Sequence, residues 1–113
     1  MGAPRRFGLK RCGGGVISGP MVIGLLRVRI HIHDADSLKD KRSVLKRLIH
    51  RLRVNHNCAV SEIEDHDVWR SAVLGLVTVY HEKRLVDSLF RHLVGVLEEG
   101  DGYDLIDEQI EYL

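Results

Sequence analysis

Hydrophobic and polar residues alternate along residues 22–33, VIGLLRVRIHIH. Successive side chains of a strand point to opposite faces. Leu26, Val28, Ile30 and Ile32 therefore share one face, and Arg27, Arg29, His31 and His33 share the other. This predicts a strand with one side in a core. Asp34-Ala35-Asp36 then predicts a turn, and beyond it the period changes. At about 100° per residue, Leu38, Leu45, Leu48, Ile49 and Leu52 fall within an arc of roughly 100°, the core stripe of a helix over 37–56. Ser37 suits the N-cap, and Asp40 can reach back in a capping-box manner. Residues 57–64, NCAVSEIE, predict a short second strand. Residues 65–71, DHDVWRS, predict a polar connection that holds the single tryptophan. Residues 72–82, AVLGLVTVYHE, are apolar on both faces, as in a central strand. Residues 83–100 predict a second amphipathic helix buried through Leu85, Leu89, Leu93, Val96 and Leu97, with Gly100 and Gly102 ending it. Alternation over 103–113 predicts an edge strand.

The order β-α-β-β-α-β is the split βαβ arrangement of ferredoxin-like α+β folds. Right-handed crossovers would place both helices on one face of a four-stranded antiparallel sheet, with strands one and three central. The open face would then carry Arg27, Arg29, His31 and His33 beside one apolar side of strand three. Contiguous exposed apolar area marks a contact site, so a second copy covering this face, a homodimer, is expected. The domain is assigned to 21–113. Residues 1–20, MGAPRRFGLKRCGGGVISGP, hold six glycines and both prolines. Such a segment buries too little apolar surface to offset its ordering entropy. It is read as a disordered basic leader, left from cloning or lying upstream of a start at Met21. The functional alternative is an arm that orders on an anionic partner.

Composition changes this picture mainly through charge. The net charge of the 113 residues is only +1, but the distribution is uneven. Residues 37–56 hold seven bases against the one acid Asp40, and residues 98–113 hold seven acids and no base. Lys39, Arg42, Lys46, His50 and Arg53 fall within an arc of roughly 80° beside the apolar stripe. An ordinary solvated face mixes signs, and this one does not. It is read as a surface for an anionic partner rather than as a solubility feature. Lys41 falls inside the apolar arc. A stem that packs while its amine snorkels to water is one reading, and a functional lysine is the other. Cys12 and Cys58 are far apart, with no C-x-x-C, which fits a reducing cytoplasm and no disulfide framework. No apolar run approaches the ~18–20 residues of a membrane span, and no secretory signal follows the basic N-terminus.

Sequence features that could carry chemistry are sparse. His31, His33, Asp34 and Asp36 have metal-ligand flavour, with His66 the best further ligand, but three convergent ligands are not apparent and no metal is assigned. Ser61 and Ser71 lack a histidine partner, and Cys58 is read as an ordinary buried thiol. Gly13-Gly14-Gly15 lacks the context of a phosphate loop. No catalytic residue and no cofactor are assigned. Strand one has no aromatic and strand three only Tyr80, so the chain is not an RNA-recognition motif that stacks bases on its sheet. Trp69 is read first as a packing residue, although a polar loop is also where a binding aromatic sits.

SLKDKRSVLKRL at 37–48, N-x-A-V-S-E at 57–62, D-x-W at 67–69 and A-V-L-G at 72–75 resemble the YlxP-like family of small bacterial proteins. The resemblance covers 21–113 and implies a ferredoxin-like fold. It carries no established activity. The family's genes often lie among those for translation and ribosome maturation, which implies an RNA or ribosome connection. Its motif falls on Ser37, Leu38, Lys39, Lys41, Arg42, Asp67, Trp69 and Gly75. The chain departs from it at His56, where phenylalanine is common, and in residues 1–20, which precede the usual start.

The reading that follows is a non-enzymatic, cytoplasmic RNA- or ribosome-associated module. Lys39, Arg42, Lys46 and Arg53 would contact phosphate, with Lys41 anchoring that surface. Arg27, Arg29, Asp67 and Trp69 would support it. The alternative is a homo-oligomeric regulatory domain that binds a small anionic ligand on the open sheet face through Arg27, Arg29, His31 and His33.

Overall fold

A computed structural model describes residues 18–113. The leader assigned to 1–20 thus lies, apart from its last three residues, outside the described part. Six elements follow: β1 (Val22–Ile32), α1 (Leu38–Asn55), β2 (Ala59–Glu64), β3 (Ser71–Tyr80), α2 (Lys83–Glu98) and β4 (Tyr103–Tyr112). The sheet order is β2-β3-β1-β4, with every neighbouring pair antiparallel. This is the expected ferredoxin-like α+β fold, with β1 and β3 in the middle.

Alternation in β1 puts Leu26, Val28, Ile30 and Ile32 beneath the helices, all fully buried, and leaves Arg27, Arg29 and His31 on the open face. In β3, Ala72, Leu74, Leu76 and Thr78 face the helices, while Val77 and Val79 are exposed on the other side. Buried Thr78 is satisfied by donating to the Asn57 carbonyl at 2.6 Å, and the Asn57 side chain donates to the Val79 carbonyl at 3.1 Å. This clasp sets where β2 begins, two residues later than the apolar pattern suggested. α1 contributes Leu45, Leu48 and Leu52, and α2 contributes Val86, Phe90, Leu93 and Leu97, to one continuous core. Each such side chain stabilises the fold by about 1.5–3 kcal/mol relative to exposure.

The stripe of α2 is rotated from the one expected. Val86 and Phe90 are fully buried, whereas Leu85, Leu89 and Val96 are half-buried. Gly24 explains the rotation in part. A β-carbon there would lie 2.7 Å from the Phe90 ring, so the missing side chain on β1 makes room for the aromatic.

α1 opens as predicted, with the Asp40 amide donating to Ser37 Oγ at 3.1 Å. The reciprocal bond differs by one residue, because Asp40 Oδ2 accepts from the amide of Asp36 rather than that of Ser37. Two bulges interrupt the ladders, one in β2 at Ile63 and one in β4 at Ile106. Both fall at the end of the sheet where β1 runs into α1.

Candidate nucleic-acid interface

α1 buries one edge and turns the remainder outward. Lys39, Arg42, Lys46 and Arg53 are all exposed, along with His50. The first turn holds Lys39 near the positive end of the helix dipole, where cations are disfavoured. Among the described residues none of these four cations lies within 4.0 Å of a carboxylate, whereas Arg29, Lys41, Arg70 and Arg84 all do. The row therefore keeps its full charge toward solvent. Lys46, Arg47, Ile49, His50 and Arg53 border an open groove of about 540 Å³ along the same helix.

Lys41 is not part of that surface. It is 1% exposed, and its amine does not snorkel outward as one reading of its position had it. Nζ lies 2.9 Å from Glu62 Oε2 and donates to the main-chain carbonyl of Asp65. Lys41 is thus unavailable to a phosphate. Its position on the apolar arc places it over β2, where Glu62 turns inward on the helix side. Its amine instead ties the β2–β3 loop to α1 through the Asp65 carbonyl.

That loop is fastened at both ends. Asp65 has a positive φ of 65°, and its carboxylate receives Arg29 Nη1 at 2.6 Å and Ser71 Oγ at 2.8 Å. The Ser71 hydroxyl, with Arg29 and Lys41 beside it, holds the Asp65 carboxyl below the usual aspartate range. At the far end Arg70 donates to the Ala35 carbonyl at 3.1 Å and to Asp36 Oδ1 at 3.0 Å. The Arg70 carbonyl accepts from the Ile32 amide at 2.9 Å. Between these anchors Asp67 is exposed and Trp69 is 50% exposed, so the expectation that Trp69 packs on the helix or sheet is corrected.

The other expected residues distribute differently. Arg29 is committed to Asp65, with Glu64 at 3.9 Å, and it faces Asp107 across the β1–β4 ladder. Arg27 is exposed on the open face, opposite Gln109. His33 Nε2 pairs with Asp104 at 2.8 Å, and this hydrogen bond raises its pKa above the ordinary histidine value. His31 and His33 stand with ring centroids 6.0 Å apart. Among the described residues no three His, Cys, Asp or Glu side chains converge on a possible metal position. Residue-by-residue reading missed Glu62, Asp65 and Arg70. The one available signal was a lysine in an apolar arc followed by a carboxylate on a strand. No local pattern announces which strand residue a buried lysine will meet.

Fold and surface together define a small ferredoxin-like α+β domain with an open sheet face and a basic helix edge. The chain belongs to the family described as "Protein of unknown function (DUF503)", whose model matches residues 23–110. It is 40% identical over 58 residues to the "Uncharacterized protein YlxP" of Bacillus subtilis (strain 168). That match covers 51% of this chain and 63% of the relative, which is less than two thirds of its length. The resemblance read from the motifs is thereby upheld. Among the described residues no helix is long and apolar enough to cross a membrane.

Proposed function

We propose that this domain is a non-enzymatic RNA-binding module of the cytoplasm, associated with the ribosome or with structured RNA through the exposed edge of α1. The observation that carries the proposal is the row Lys39, Arg42, Lys46 and Arg53, exposed and without a carboxylate partner among the described residues. Phosphate recognition needs this arrangement: several fixed cations of one sign, on a rigid element, not already neutralised. Affinity from such contacts is dominated by counterion release. The test is binding to ribosomal subunits and to a generic structured RNA across a salt series. Four phosphate contacts should give a log–log slope of about −3 to −4, so affinity should drop roughly 100-fold from 50 to 200 mM salt. No binding even at low salt would overturn the proposal.

The small-ligand alternative draws less support from the sheet face. Two of its four residues are already engaged, Arg29 with Asp65 and His33 with Asp104. A small anion would have to displace those carboxylates.

The same face supports pairing with a second copy. Val77, Val79 and Ile63 are each at least 40% exposed and lie on or beside the central strand. A two-fold contact requires one patch to complement itself. This face offers apolar area together with cations on β1 and acids on β4. A dimer is therefore expected by light scattering at high micromolar concentration, and Val77→Asp/Val79→Asp should convert it to a monomer. A monomeric wild-type chain under those conditions would refute the pairing.

A further inference from the structure

We propose that Trp69 is a stacking platform for an unpaired base, so that the preferred ligand is single-stranded RNA or the single-stranded part of a junction. The inference rests on the RNA-binding reading above and specifies which RNA that surface selects. Trp69 is the single tryptophan of the chain. It stands half-exposed with Val68 beside it, also half-exposed, in a loop otherwise polar and exposed at His66 and Asp67. An isolated exposed apolar side chain needs no explanation. This one differs in how it is held.

The segment is hydrogen-bonded to other elements at both ends. Asp65 is bound by Lys41 from α1, by Arg29 from β1 and by Ser71 from β3. Arg70 is bound to the turn that leads into α1. Five ionised side chains, Arg29, Asp36, Lys41, Asp65 and Arg70, and the Ser71 hydroxyl thus fasten a loop that presents an indole. Holding an aromatic in its binding geometry before the ligand arrives removes the ordering cost of the complex.

Position supplies the second argument. The anchors tie the loop to Lys41 and to Ala35 and Asp36, which places Trp69 at the end of the molecule where α1 begins. Lys39 and Arg42, the first cations of the row, lie two residues before and one residue after Lys41, in the same opening turns of α1. A strand whose phosphates follow the α1 edge to its first turn reaches the end of the molecule that carries this loop. Aromatic rings beside a cationic track are the usual means of holding unpaired nucleotides, because every base has a face to stack. A continuous duplex offers no such face along its length, since its bases are stacked on one another.

The experiment compares a single-stranded RNA with a perfect RNA duplex of equal length, titrated into the full chain at low salt. Trp69 fluorescence and an independent mobility assay are both read. The single strand should bind more tightly and quench the tryptophan. Trp69→Ala should weaken single-strand binding about 10-fold or more and leave duplex binding unchanged. Trp69→Phe should retain most of the affinity. If single-strand binding stays salt-sensitive but is unquenched and indifferent to Trp69→Ala, the platform is refuted and the phosphate-binding row stands. If neither RNA binds, both readings fall, and the exposed indole is left as an anchor for a protein partner.

Discussion

Reversing three charges of the α1 row, in Lys39→Glu/Arg42→Glu/Lys46→Glu, is expected to abolish RNA binding without unfolding the domain. The three side chains are exposed and make no ion pair among the described residues. Surface substitutions of this kind usually change stability by about 0.5 kcal/mol or less. A glutamate at position 39 also suits the first turn of a helix better than a lysine. Binding responds differently. Three phosphate contacts are lost, and three repulsive charges replace them along a helix edge only ~10 Å long between Lys39 and Lys46. Affinity at about 0.1 M salt should fall by roughly 100-fold or more, and the residual salt dependence should flatten. Circular dichroism should show an intact fold. Unchanged binding would demote the row to a feature that keeps the protein in solution, and attention would pass to the open sheet face.

The second large effect is on stability. Lys41→Ala should destabilise the domain by about 3–5 kcal/mol, the range for removing one partner of a buried ion pair. The amine it removes touches Glu62 and the Asp65 carbonyl, and the lysine is among the most completely buried side chains of the protein. Much of the expected loss comes from the Glu62 carboxylate, left facing the core without its counter-charge. Lys41→Met combined with Glu62→Gln should therefore recover a large part of it, because two neutral side chains of similar volume leave no charge uncompensated. Since small domains are stable by only about 5–15 kcal/mol, urea unfolding separates these outcomes easily. A loss below about 1 kcal/mol for Lys41→Ala would show the pair to be inessential. Acid should act on the same corner. Asp65 has a lowered pKa in the folded state, so its contribution is fully present above the unfolded aspartate value. That contribution is lost as pH falls through the lowered folded value.

These two experiments address residues adjacent in sequence and opposite in role. Lys41 and Arg42 are both cations of the first helical turns, yet one is buried and one faces solvent. The 100° step of the helix separates them. The pattern showed that Lys41 lies among leucines, but not what it would find there. Its partners come from β2 and the following loop, more than twenty residues away along the chain.

The sequence by itself determined the elements and their order. Alternation over residues 26–33, the 3.6-residue period of residues 38–52 and the two-sided apolar run of residues 72–79 each admit one regular structure. Short connections between elements of that order then admit few topologies. It also determined the exposed edge of α1, because helical spacing alone sorts Lys39, Arg42, Lys46 and Arg53 away from the leucines. Only the tertiary structure decided the rest. Packing against Gly24 turned α2 so that Val86 and Phe90, not Leu85 and Leu89, fill the core. Non-local pairing committed Arg29 to Asp65 and Lys41 to Glu62, and bound Arg70 across to Asp36. The contacts of Arg29 and Arg70, with the bond from Lys41 to the Asp65 carbonyl, fasten the loop that carries the exposed Trp69. The physical reason is range. Periodicity is a property of neighbours along the chain, whereas the partner of a charge is set by what the fold brings beside it.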